Sequence, residues 1–97
     1  MARFASVVTI EVAQGRKQQL LASLIAHRAR CLKDEPGTLE IEILLPHGDE
    51  SKVLTYEVYQ DAAAFDVHRN GPSFAQWQEE TAGVVTKIYA TRCAVLD

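Results

Sequence analysis

The sequence predicts an α+β domain of ferredoxin-like topology, β-α-β-β-α-β, whose antiparallel four-stranded sheet pairs with a second copy as a dimeric α/β-barrel. Three observations lead there. Four stretches alternate with the period of a strand. Two helical stretches separate them in that order. The strands are apolar on both faces, yet two right-handed β-α-β crossovers place both helices on one side of the sheet. The cheapest cover for the other side is a second copy of the same sheet.

Each element has its own reason. Phe4 to Val12 reads as a strand, with Phe4, Ser6, Val8, Ile10 and Val12 on one face and Ala5, Val7, Thr9 and Glu11 on the other. Gln14-Gly15 breaks it. Arg16 to about Lys33 reads as a helix, because Leu20, Leu24, His27 and Cys31 recur at helical steps and Leu21, Ile25 and Leu32 widen that stripe. Asp34-Glu35-Pro36-Gly37 stops it, since Pro36 cannot continue a helix and Gly37 suits a turn. Thr38 to Leu45 is the second strand, with Leu39, Ile41, Ile43 and Leu45 on one face. A polar connection from Pro46 to Ser51 leads to the third, Lys52 to Tyr59, which sets Val53, Thr55, Glu57 and Tyr59 on one face. Asp61 is suited to cap a second helix through Ala64, Phe65, Val67 and His68. Asn70-Gly71-Pro72 interrupts that helix, and it resumes from Ser73 to about Glu80. Gly83 ends it, and Val84 to Val95 holds the last strand.

With 97 residues and no linker or repeat, residues 1–97 make a single domain. A core this small gains from a partner subunit. Cys31 and Cys93 form no CxxC pair and are expected to be unlinked thiols, with no metal site. A net charge of −3 argues against nucleic acid, and the basic residues Arg16, Lys17, Arg28, Arg30 and Lys33 spread over one helix. No run approaches the ~20 apolar residues of a membrane span, and no leader pattern precedes the first strand. The expectation is a cytoplasmic protein that contacts neither membrane nor nucleic acid.

No GxGxxG, P-loop, HExxH or GxSxG is present, so chemistry must come from scattered side chains. His47 lies in the solvated connection. His27 lies on the apolar stripe of the first helix and can border a pocket. His68 can turn toward the sheet from the second helix. Glu57 interrupts an apolar strand, which is costly unless the charge is paired. If Glu57 shares the helix-covered face, it meets His68, and a carboxylate-held imidazole is suited to general-base work. Tyr59, Phe65, Phe74, Trp77 and Tyr89 can line a pocket for a flat organic ligand, with Arg69 and Asn70 at its rim. The same side chains can equally fill the core of a small protein, and Glu57 and His68 can equally be a structural fastening.

The segments Glu35-Pro36-Gly37-Thr38-Leu39, Tyr56-Glu57-Val58-Tyr59-Gln60-Asp61 and Ala64-Phe65-Asp66-Val67-His68 resemble the antibiotic biosynthesis monooxygenase family, in the expected order along nearly the whole chain. The resemblance implies a dimeric ferredoxin-like fold. It implies oxygenation, without a cofactor, of a small aromatic quinol or anthrone by O₂. Glu57 and His68 match the positions that the family sets near its cavity. The alternatives within reach are an isomerase of a small phosphorylated metabolite and a non-catalytic, dimeric small-ligand-binding module. Where many members carry Ser-Pro-His-Phe, this chain has Gly71-Pro72-Ser73-Phe74, so Ser73 replaces a second histidine. Haem-degrading relatives use an asparagine on the first strand, and none occurs between Phe4 and Val12. The expected catalytic pair is His68 with Glu57, and the expected pocket is His27, Tyr59, Phe65, Asn70, Phe74 and Trp77.

Overall fold

The computed structural model describes residues 2–97. Its elements follow the order β1 (Phe4–Val12), α1 (Lys17–Asp34), β2 (Thr38–Leu44), β3 (Lys52–Tyr59), α2 (Ala62–Arg69), α3 (Pro72–Glu80) and β4 (Val85–Ala94). The strands form one antiparallel sheet in the order β2-β3-β1-β4, the ferredoxin-like arrangement.

The expected barrel is not formed. The sheet is open, with β2 and β4 as unpaired edges. The reason is geometric. About eight strands are needed to enclose an interior wide enough for side chains. This chain supplies four, and its helices occupy one face of the sheet instead.

Helix α1 buries Leu20, Leu24, His27 and Cys31, the stripe that the spacing predicts. The wider stripe is not buried: Ile25 is 54% exposed and Leu32 45%. In β2 the register slips between Thr38 and Glu40, which leaves Leu39 exposed and Thr38 buried. Leu45 falls beyond the end of that strand and is exposed. Strand β1 buries the face that begins at Phe4 and leaves Val7 at the outer surface.

Asp61 caps α2, its Oδ1 accepting from the Ala64 amide at 2.8 Å. The break after α2 is sharp. Gly71 is the N-cap of α3, and Pro72 follows at its first turn, where the missing N–H has no intrahelical partner to lose. A Cβ on Gly71 would stand 2.8 Å from the Val67 carbonyl oxygen, so α3 can turn back toward α1 only because that carbon is absent.

The main core lies toward one end of the sheet. Val8, Ile10, Val12, Leu20, Leu24, Val53, Trp77 and Val84 pack there between the sheet, α1 and α3. Toward the other end the sheet carries smaller and polar residues, and the layers do not close completely. The unfilled space there is the candidate site.

Candidate active site

The floor of the site follows from strand register. Glu57 on β3 and Arg92 on β4 both pair with Ser6 on β1, so the three form one cross-strand row facing the helices. The next row sets Thr55, Val8 and Ala90 side by side. Ser6, Thr55 and Ala90 are small. Beneath the larger side chains of α2 and α3 they leave a cavity of about 590 Å³, within the ordinary range for small-molecule sites. His27, Phe65, His68, Phe74 and Trp77 form much of its wall, with Arg69, Asn70 and Arg92 among the polar lining.

His68 lines this cavity while remaining 4% exposed. Its Nδ1 lies 2.8 Å from Glu35 Oε1. Thr38 Oγ1 donates to the same carboxylate oxygen at 2.7 Å. Glu35 is itself 7% exposed, and a buried carboxylate needs such partners. Its position at the C-cap of α1 brings it under α2, and Glu35 N donates to the Cys31 carbonyl at 2.9 Å. A carboxylate on Nδ1 fixes the ring orientation and leaves Nε2 for a ligand.

The expected contact between Glu57 and His68 is therefore replaced. Glu57 does face the helices, but its Oε2 accepts from Thr55 Oγ1 and its Oε1 from the Tyr59 hydroxyl, both at 2.6 Å. These donors sit two residues before and after it on the same strand face. Their hydroxyls satisfy the charge locally, so it does not need the imidazole. Tyr59 was expected in the pocket wall. It is fully buried beneath it, and burial together with the Glu57 charge raises its pKa, which keeps it a neutral donor. The other expected pocket residues, His27, Phe65, Asn70, Phe74 and Trp77, do line the cavity.

His27 faces His68 with ring centres 5.5 Å apart, and Trp77 at 5.6 Å. Burial first, then the neighbouring His68 and Arg30, lower its pKa from 6.5 to about 4. It is thus neutral at neutral pH and is no competitor for a proton. Cys31 Sγ lies 3.6 Å from His27 Nδ1, and burial, reinforced by the Glu35 charge, pushes its thiol up to about 12. His27, Cys31 and His68 each bring one potential ligand atom within 4.8 Å of the others, a cluster hidden from local spacing because His68 comes from a different helix. It is the group that could hold a metal ion, which would have to displace the Cys31 proton. Cys31 and Cys93 are unlinked. Ser73, at the first turn of α3, is buried. The Trp77 Nε1 hydrogen and Glu35 Oε2 meet no partner among the described residues.

Sequence reasoning missed Glu35, Ser6 and Arg92. Glu35 carried a signal, since an acidic residue at a helix C-terminus opposes the helix dipole and wants a partner elsewhere. Arg92 and Ser6 become site residues only through register, which one strand alone does not reveal.

The molecule is thus a small α+β domain of ferredoxin-like topology, with a carboxylate-held histidine at an aromatic cavity between sheet and helices. The comparisons with known proteins give the family. Residues 3–80 match the profile of the antibiotic biosynthesis monooxygenases, and the chain belongs to that family. None of the curated proteins matches it. Among solved structures it is similar to a candidate antibiotic biosynthesis monooxygenase from Nitrosomonas europaea, with TM-score 0.90 and 16% identity over 98% of this chain and 91% of that one. A second candidate, from Caulobacter crescentus, gives 0.92 and 14% over 99% and 92%. A third, from Bacteroides thetaiotaomicron, gives 0.88 and 22% over 99% and 91%. At these identities the structures establish the shared fold, and the family profile establishes the monooxygenase-like class. No described helix is long and apolar enough to cross a membrane.

Proposed function

We propose that the protein is a cofactor-independent monooxygenase that oxidises an electron-rich phenol, quinol or anthrone with O₂. The observation that carries this reading is His68, fixed on Nδ1 by buried Glu35 and lining an aromatic cavity. In this mechanism His68 Nε2 takes the acidic proton of the bound substrate. The resulting anion passes one electron to O₂, and the two radicals combine before either escapes. Loss of water from the hydroperoxide then leaves a carbonyl at the attacked carbon, the CH₂ of an anthrone or a ring C–H of a phenol or quinol reacting in its keto form, so one oxygen atom enters the product and the other leaves as water. The protein contributes a base, orientation and exclusion of bulk water. Phe65, Phe74 and Trp77 are suited to hold the ring. Glu57, anchored by Thr55 and Tyr59, is suited to accept a hydrogen bond from a second substrate hydroxyl.

The working unit in this reading is a homodimer. On the outer face of the sheet Val7, Leu44, Leu54 and Tyr56 are neighbours by register; Val7 and Leu44 are exposed, and Leu54 and Tyr56 are half-buried. A second copy is the partner of matching chemistry.

Oxygen uptake by the purified protein with anthrone- and quinol-type substrates, in the presence of chelator and without flavin, tests the reading. Substrate-dependent uptake above the spontaneous rate is expected. No uptake with any member of such a panel would overturn it in favour of a binding module.

A further inference from the structure

The mouth of the cavity carries a charge that the interior does not use. Arg92 Cζ stands 5.1 Å from the centre of the Phe65 ring, and Arg69 Cζ stands 5.8 Å from it. Both side chains line the cavity. Arg69 is engaged, its Nε lying 3.1 Å from Asp66 Oδ1. Arg92 has no carboxylate within ion-pair distance among the described residues. The acidic member of the cavity lining is Glu57; each of its oxygens accepts one hydrogen bond, from Thr55 or Tyr59, and neither forms an ion pair with Arg92.

We propose that Arg92 receives the carboxylate of an aromatic substrate whose phenolic end lies at His68. The proposal rests on the cavity being the substrate site and adds the class of substrate it selects. The Phe65 ring holds the Arg92 guanidinium by a cation–π contact, and a guanidinium is a planar, two-pronged donor that a carboxylate matches. Phe65 and His68 are three residues apart on α2, a rise of roughly 4.5 Å. A molecule bridging Arg92 and His68 therefore has its acidic group and its hydroxyl separated by about one or two fused rings. Glu57 lies two strands from Arg92 in the same row, roughly 10 Å away at the backbone. Its negative charge disfavours the reversed pose and sends the carboxylate to the arginine.

Calorimetric titration under nitrogen with 6-hydroxy-2-naphthoate and with 2-naphthol tests this. The two probes share a ring system and a hydroxyl and differ in the carboxylate. Wild type is expected to bind the carboxylate about tenfold or more tightly than the neutral probe, the size of one charge-assisted contact. In Arg92→Gln the preference disappears and 2-naphthol binding stays as it was. Arg92→Lys, which keeps charge but not the fork, gives an intermediate preference. Equal affinities in wild type, a preference that survives Arg92→Gln, or binding of neither probe would overturn the proposal. Because binding is measured without oxygen, the two readings fail separately. Uptake with neutral quinols and no carboxylate preference removes only the role of Arg92. A clear preference and no uptake removes only the oxygenase.

Discussion

Glu35 is the residue on which the site turns. It reads in sequence as part of the stop signal after the first helix, and it is that. It is also the buried anion that orients His68. Glu57 is a charge in an apolar strand, and Thr55 and Tyr59 on the same strand face satisfy it. Alternation along the strand contained that answer; the partner of His68, more than thirty residues away in sequence, could come only from the fold. His27 supplies a test at this scale. Its pKa falls from 6.5 in the unfolded reference to about 4, because burial opposes its charged form. As pH drops between those values the unfolded chain takes up a proton that the folded chain refuses. Stability from this group is complete above about 6.5 and is lost as pH falls toward 4, by on the order of 3 kcal/mol. Below that range it contributes no further slope. Denaturant unfolding from pH 7 to pH 4 is expected to show this decline in wild type and a shallower one in His27→Gln. Equal slopes would mean that His27 charges freely when folded.

Between elements, the decisive contact is the approach of α2 to the turn that enters β2. A Cβ on Gly37 would sit 2.5 Å from the Ala64 Cβ, so two small residues set how closely helix and turn can pack. Gln60 N also donates to the Gly37 carbonyl at 2.8 Å, tying the end of β3 to the same point. Glu35 and His68 sit on either side of this contact, which is why their distance depends on it. Gly37→Ala should cost about 1–3 kcal/mol by overpacking and should lower turnover as the Glu35–His68 contact is stretched. Adding Ala64→Gly should recover part of both losses, and melting curves with parallel rate measurements would show it. If the single variant is as stable as wild type, the close approach does not constrain the pair. In sequence, Gly37 was legible as a turn residue and Ala64 as a helix former, but their meeting was not. The element order, the buried stripe of α1 and the Asp61 cap were all legible, because local periodicity and capping determine them. The slip at Thr38 and Glu40 was not, because strand register is set by the neighbouring strand.

The whole molecule is an open sheet with helices on one side. Two-sided apolar patterning correctly marked an outer face that no helix covers. It could not say that the sheet closes, and within one chain it does not. Strand β4 shows what is left over: every residue from Thr86 to Ala94 is exposed. The proposed second copy would cover the outer face, and a stable contact should bury at least ~1,000 Å². Sedimentation at micromolar concentration is expected to give twice the chain mass of 10.8 kDa. A persistent monomer would contradict the dimer while leaving the cavity intact. The cavity's chemistry is decided by one comparison: turnover of an accepted quinol or anthrone by folded His68→Ala protein against wild type. Loss of the general base predicts a fall of ~10²–10⁴-fold with the fold retained. Wild-type turnover in that variant would contradict the assignment of His68 as the base and leave the Glu35–His68 pair as a fastening between helices.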